Sequence, residues 1–148
     1  MDITYRPRNF RDNDFLVSVS MKTMEKIIKE STGHPLTEAM VLEQIDGNQI
    51  TTMIENNKRP VGFYSYTILP TGQLYVSAVV LSPKAQHQGI GRLVAKHIEQ
   101  EARDNKATAI IGHIHYANNQ SLIFSLKNGF RIVGPHMPGT LAVEKKLH

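Results

Sequence analysis

Cysteine is absent from this chain of 148 residues. Its absence excludes disulfide bonds, thiolate metal ligands and a cysteine nucleophile, and it fits a reducing compartment. The sequence also has no apolar run near the roughly 18–20 residues that a membrane-spanning helix needs, and its first residues show no signal-peptide core. We therefore expect a cytoplasmic protein without a membrane partner.

Acidic residues are missing from two long stretches, one between Glu55 and Glu99 and one between Asp104 and Glu144. Residues 1–60 carry 8 basic and 9 acidic side chains, whereas the rest of the chain carries 9 basic and 4 acidic ones. An acid-poor surface suits an anionic ligand, although buried strands lack charge as well. The formal net charge of +4 is too small for a dedicated nucleic-acid binder, so we expect no nucleic-acid partner.

Length and composition, with 41% hydrophobic and 20% charged residues, are typical of one globular domain. Apolar periodicity and turn residues predict elements in the order β-α-α-β-β-β-α-β-α-β-β. Antiparallel hairpins come first and a strand–helix–strand crossover follows, which predicts an α/β fold with a central mixed sheet and helices on both faces. The predicted strands are 2–7, 49–55, 61–68, 73–81, 107–115, 130–133 and 140–146. The first predicted helix is capped by Asp12 or Asn13 and ends near residues 31–33, and the others are 37–45, 89–105 and 118–127.

The clearest local pattern is the segment 86–92, with the sequence QHQGIGR, between a predicted strand and a predicted helix. The first N–H groups of a helix have no partner within the helix and lie at the positive end of its dipole. Bare backbone at Gly89 and Gly91 would let a phosphate approach them closely. The segment lacks the lysine of a Walker A loop and the third glycine of a dinucleotide fingerprint. On these residues alone, a turn before an amphipathic helix is the simpler alternative.

The pattern Q-x-x-G-x-G in this setting resembles the acetyl-coenzyme A loop of the GCN5-related N-acetyltransferase (GNAT) family. A later pattern of that family, N-x-x-A-x-x-F/Y followed by G-F, is similar to Asn118, Ser121, Phe124, Gly129 and Phe130, with Ser121 in place of the usual alanine. The order of elements matches over nearly the whole chain, although residues 1–71 match only in outline.

The resemblance implies a single N-acetyltransferase domain over residues 1–148, with acetyl-CoA as co-substrate and no metal. It implies direct transfer of the acetyl group, in a ternary complex, to a primary amine of a small molecule or a peptide. It also implies that the strand before the loop splays from its neighbour at a bulge and binds the pantetheine arm through free backbone groups. The Leu81 N–H, or one beside it, would polarise the thioester carbonyl.

Residues of three segments would then bind the coenzyme: the strand end, the glycine loop and the later helix. They are Val79, Val80, Leu81, Gln86, His87, Gln88, Gly89, Ile90, Gly91, Arg92, Asn118, Phe124 and Lys127. For Lys84, Lys96 and Lys127, a phosphate contact and a solvated surface position are equal alternatives.

The general base departs from the common family patterns. Many relatives place a glutamate on the strand before the loop, where this chain has Tyr75 and Ser77 and no acid. Relatives that acetylate ribosomal proteins place one five residues before the motif asparagine, where this chain has His113. A histidine suits proton transfer at neutral pH, so His113 is the candidate base, acting through water. A packed sheet histidine is the alternative, and the remaining candidates are the neighbouring His115 and three carboxylates, Glu30, Glu38 and Glu43.

The general acid departs as well, because the usual tyrosine seven residues after Asn118 is Ser125 here. Three explanations remain open. Ser125 positions a water, Tyr116 supplies a hydroxyl from another direction, or the thiolate leaves without protonation by the enzyme.

Two other functions stay open beside the enzyme. One is a catalytically reduced acyl-CoA-binding regulatory module, and the other is a nucleotide- or nucleic-acid-binding α/β domain. The acceptor would be set by residues 15–45 and by the hairpin around His136, Met137 and Pro138. These segments contain no acidic cluster for a polycation, which favours a small amine, an amino acid or a peptide N-terminus. A homodimer is a further candidate assembly.

Overall fold

A computed structural model describes residues 1–147 as a single seven-stranded mixed sheet with four α-helices. The strands are β1 (Ile3–Pro7), β2 (Ile50–Asn56), β3 (Arg59–Ile68), β4 (Leu74–Leu81), β5 (Ala109–His115), β6 (Arg131–Pro135) and β7 (Thr140–Lys146). The helices are α1 (Asn13–Thr32), α2 (Glu38–Asp46), α3 (Ile90–Asp104) and α4 (Asn119–Lys127), with short 3-10 turns at Phe10–Asp12 and Pro83–Ala85. The predicted α/β class and element order are confirmed. Over the described residues no helix combines the length and apolarity needed to cross a membrane.

The helix ends follow from local side-chain chemistry. Thr37 accepts a hydrogen bond from Met40 N at 3.2 Å and so caps the start of α2. Gly33 ends α1 in the left-handed region, at φ +75°, and donates its N–H to Lys29 O at 2.8 Å. One strand starts earlier than predicted, because Asn57 and Lys58 both have positive φ and close a two-residue hairpin turn before β3.

The sheet has the order β1-β2-β3-β4-β5-β7-β6, and only β4 and β5 run parallel. The parallel pair follows from the α3 crossover, since a helix between two strands carries the chain back to the starting edge. Each face of the sheet packs against its own hydrophobic core. The core under α1 and α2 contains Leu16, Val19, Val41, Ile45, Met53, Phe63 and Val80, and the core under α3 contains Ile54, Tyr64, Leu74, Ile90, Val94, Ile98 and Ile110.

Gly62 lets β3 lie tightly against the last residues of β4. A Cβ atom added at Gly62 would be 2.2 Å from Val80 O and 2.9 Å from Leu81 Cδ2. Because a backbone carbonyl cannot move aside as a flexible side chain can, any larger residue would push the two strands apart.

We predict that Gly62→Ala lowers the free energy of unfolding by about 1–3 kcal/mol, the usual cost of overpacking a core. Gly112→Ala is the matched control on β5, where the added Cβ would be 3.4 Å from Val76 O. Its change should stay below about 1 kcal/mol, since alanine is also the better strand residue. Chemical denaturation measures both variants, and equal losses would contradict the steric explanation.

Candidate active site

The centre of the site is the point where β4 and β5 separate. These strands pair only from Leu74 with Ile110 to Val76 with Gly112. Beyond that point β4 stays paired with β3 as far as Leu81, and β5 stays paired with β7. The β3–β4 register shifts at Ser77, and an extra residue of this kind bends a strand and increases its twist. The strands therefore form a fork, with a gap along the outer half of β4.

Two backbone N–H groups of β4 face this gap. Ser82 donates its N–H to Val61 O on β3 at 2.8 Å, and backbone groups alternate in direction along a strand. The N–H groups of Leu81 and Val79 therefore point away from β3, into the gap. Val80 differs from these predicted neighbours, because its carbonyl faces Gly62 on β3 and its side chain is buried under α1 and α2.

The carbonyl of Leu81 is already occupied within the chain. Gln86 Nε2 donates to it at 3.1 Å, and Gln120 Nε2 on α4 donates to Gln86 Oε1 at 2.9 Å. This chain of hydrogen bonds joins β4, the loop and α4 at the mouth of the gap. Gln120 was not among the predicted site residues, because its contact with Gln86 spans 34 positions and has no local signal.

The start of α3 presents open backbone. Gly89 lies in the left-handed region at φ +81°, and a Cβ atom added there would have nothing within 4 Å. No side chain among residues 1–147 caps the helix. His87 also has positive φ, at +62°, which is rare for a residue with a side chain and marks a constrained loop. The first N–H groups of α3 are therefore available to an anion.

Gly91 has a different role from Gly89. A Cβ atom added at Gly91 would be 2.9 Å from Cε2 of Phe124 on α4. We predicted that a phosphate could approach bare backbone at both glycines. Gly89 fits this prediction, whereas the space beside Gly91 is occupied by the Phe124 ring. Phe124 couples α4 to the first turn of α3 through this contact.

Four exposed cations on the Pro83–Ala85 turn, α3 and α4 have no acidic partner in the described part of the chain. Within residues 1–147, no ion pair involves Lys84, Arg92, Lys96 or Lys127. Some cations elsewhere do form ion pairs, as where Lys145 and Arg103 both contact Glu99. The stretch without acids thus leaves uncompensated positive charge beside the start of α3.

Asn118 acts as a helix cap at the start of α4. Its side-chain oxygen accepts a hydrogen bond from Ser121 N at 3.1 Å, and the residue is buried. The predicted asparagine motif thus has a local structural role, which fixes the orientation of α4 beside the fork.

His113 lies on β5 one residue beyond its last pair with β4. Its Nδ1 is 3.1 Å from the hydroxyl oxygen of Tyr75 on β4. On its other side, the ring of His136 from the β6–β7 hairpin stacks on it, with centroids 3.6 Å apart and planes 3° apart. Burial lowers the pKa of His113, and the neighbouring His136 lowers it further. His113 is therefore held neutral at pH 7.

The other candidate catalytic residues form no hydrogen bond or ring contact with this cluster within residues 1–147. Tyr116 is exposed beyond the end of β5, and the half-buried Ser125 lies on α4; neither side chain forms a hydrogen bond within the described part of the chain. The three early carboxylates are exposed, and none of them shifts the pKa of His113: Glu30, Glu38 and Glu43. On His115, burial alone lowers the pKa, and its Nδ1 is buried without a partner in residues 1–147.

Several solved structures of similar fold are described as N-acetyltransferases. The chain is similar to the PaiA N-acetyltransferase from Thermoplasma acidophilum in complex with coenzyme A, with a TM-score of 0.78, 18% identity and coverage of 99% of this chain and 100% of that one. It is also similar to Ard1 from Thermoplasma volcanium, with a TM-score of 0.79, 14% identity and coverage of 100% and 99%. For the ribosomal-protein-S18-alanine N-acetyltransferase from Escherichia coli the values are 0.71, 13%, 98% and 94%.

The family model described as the Acetyltransferase (GNAT) family matches residues 19–130. The chain therefore belongs to the GNAT acetyltransferase family, as its sequence patterns predicted. No curated protein sequence matches it at a significant level.

We predict that the protein loses stability as the pH falls below about 6.5, the ordinary histidine pKa. Burial lowers the folded-state pKa of His113 and His115, so the unfolded chain binds protons first. The stability present above pH 6.5 is therefore lost as the pH falls towards the folded-state pKa values. Chemical denaturation between pH 8 and pH 5 should give a flatter profile for His113→Gln/His115→Gln than for the exposed control His34→Gln. Equal slopes would show that these two histidines do not cause the loss.

Proposed function

We propose that the protein is an acetyl-CoA-dependent N-acetyltransferase, a single domain that transfers an acetyl group directly to a primary amine of a small molecule or a peptide. The observation that carries the proposal is the unpaired edge of β4, which ends at the open and uncompensated start of α3. An extended arm with phosphates at one end fits both parts of this surface. The PaiA structure from Thermoplasma acidophilum, which has the same fold, holds coenzyme A.

The pantetheine arm would lie along the gap as an added strand. The N–H groups of Val79 and Leu81 would bind its amide carbonyls or the thioester carbonyl. An N–H fixed in a sheet needs no reorientation when negative charge develops on the thioester oxygen, so it favours the transition state. The pyrophosphate would lie at Gly89 and Arg92, where helix N–H groups and a free cation are close together.

His113 would be the general base, acting directly or through water. The lowered pKa keeps the imidazole unprotonated at neutral pH, which is the state that can accept a proton from the amine. With no cysteine in the chain, an acyl-cysteine intermediate is excluded. Direct attack of the amine on the thioester in a ternary complex therefore accounts for transfer.

The acceptor would bind on the side of His113 that α1 and the β6–β7 hairpin border. A Cβ atom added at Gly139 in the hairpin would be 3.7 Å from Ser31 O on α1, so these segments meet. The same hairpin carries His136 onto His113. The bordering segments contain no acidic cluster for a polycation, which favours a small amine or a peptide N-terminus. The Escherichia coli structure with this fold is a ribosomal-protein-S18-alanine N-acetyltransferase.

Removing one positive charge at the loop tests whether coenzyme A binds there. We predict that Arg92→Ala weakens binding of coenzyme A about tenfold, through loss of one charge-assisted phosphate contact, as measured by calorimetry. Arg131→Ala is the matched control, because it removes the same charge from an exposed position on β6 that pairs with Glu144. Equal affinities for the two variants would place the phosphates elsewhere.

Turnover is tested separately by measuring thiol release from acetyl-CoA in the presence of each of a panel of amines. We predict that His113→Ala lowers kcat by about 10²–10⁴-fold while the affinity for coenzyme A stays unchanged. The variant Glu30→Gln/Glu38→Gln/Glu43→Gln should keep its turnover, and loss there instead would place the base in the early helices. Tight coenzyme binding by the wild type with no turnover on any amine would favour a catalytically reduced regulatory module.

A further inference from the structure

Tyr75 is positioned to supply the general acid, a role for which this chain has Ser125 in place of the usual tyrosine. It lies on β4 next to Val76, the last residue that pairs with β5 before the fork opens. Val76 and Ile110 belong to the core under α3, so Tyr75 and His113 extend from the opposite face of the sheet, towards α1 and α2. The two side chains therefore meet across the vertex of the fork, where the coenzyme arm would end.

The contact between Tyr75 and His113 leaves the Tyr75 hydroxyl and His113 Nε2 each free to form one further hydrogen bond. Tyr75 Oη is 3.1 Å from His113 Nδ1, and the hydroxyl has no second partner in residues 1–147. His113 Nε2 has no partner there either and is not buried. If Nδ1–H donates to Tyr75 Oη, the hydroxyl proton can point into the gap while Nε2 presents its lone pair to the acceptor side.

We propose, on the basis of the function proposed above, that Tyr75 is the general acid and that it forms a proton relay with His113 across the Oη–Nδ1 contact. As the C–N bond forms, the amine gives a proton to Nε2 of His113. His113 passes its Nδ1 proton to Tyr75 Oη, and Tyr75 gives its hydroxyl proton to the sulfur as the C–S bond breaks. The net change is one proton moved from nitrogen to sulfur. The starting tautomer returns when Nε2 releases its proton to solvent, Tyr75 returns its hydroxyl proton to Nδ1 and a solvent proton restores the hydroxyl.

The surroundings of the pair favour this relay. Burial raises the pKa of Tyr75, so the phenol keeps its proton until a thiolate develops nearby. The titratable groups that face His113 are Tyr75 from β4, His136 from the β6–β7 hairpin and His115 on its own strand, and only His136 shifts its pKa by charge. His136 also fixes the imidazole plane by stacking, which makes it a positioning residue.

One test measures the tautomer of His113 in the coenzyme-free protein, independently of turnover. Long-range ¹⁵N–¹H NMR at pH 7.5 should show the proton on Nδ1, and Tyr75→Phe should raise the Nε2–H fraction. A wild-type signal with the proton on Nε2 would overturn the relay even if the enzyme acetylates amines.

The second test is kinetic. Tyr75→Phe should lower kcat by about 10²-fold with unchanged affinity for coenzyme A, and Tyr5→Phe, whose ring stacks on His97 in the other core, should leave kcat unchanged. Fluorotyrosine at position 75 should move the alkaline limb of the kcat profile to lower pH, because fluorine lowers the phenol pKa. An alkaline limb that does not move, or a kcat within threefold of wild type for Tyr75→Phe, would overturn the acid role. Wild-type protein that binds coenzyme A without turnover would instead refute the proposed function.

Discussion

The parting of β4 from β5 is the constraint on which the rest of this structure depends. Buried backbone groups without hydrogen bonds cost free energy, so a sheet opens only where something else can satisfy them. Here the β3–β4 pairing is kept tight by Gly62, and the bulge at Ser77 turns β4 away from β5. Gln86 satisfies one carbonyl at the rim, and the N–H groups of Val79 and Leu81 are left for a ligand.

Charge and chemistry are divided along this fork. At its open end, the cations around the start of α3 have no acidic partners in the described chain, which gives an anionic ligand a favourable potential. At its vertex, Tyr75, His113 and His136 form a cluster that no carboxylate from residues 1–147 contacts. The same scarcity of acids leaves no carboxylate on the strand before the loop, and it is the reason that the proton transfer proposed above uses imidazole and phenol.

Much of the fold could be predicted because its signals are local. The strand predicted over residues 140–146 has the bounds of β7, and Asn118 and Gly33 mark helix ends through contacts within four residues. The site was predictable only in part. Gly89 has the expected open backbone, whereas Gly91 accommodates Phe124, a contact between residues 33 positions apart that no local pattern shows. The contact between Tyr75 and His113 spans 38 positions, so no local sequence pattern could predict it either.

The sequence by itself determined the order of strands and helices, the glycine loop, the distribution of charge and the family. Each of these features depends on residues that are close together in the chain, through their periodicity, turn chemistry or motif spacing. Only the tertiary structure decided which side chains meet at the vertex and which backbone groups face the gap. Those outcomes depend on the crossover through α3, on the one-residue bulge and on the alternation of side chains that it resets. A shift of one residue in register would turn Tyr75 away from His113, and no local sequence signal specifies that register.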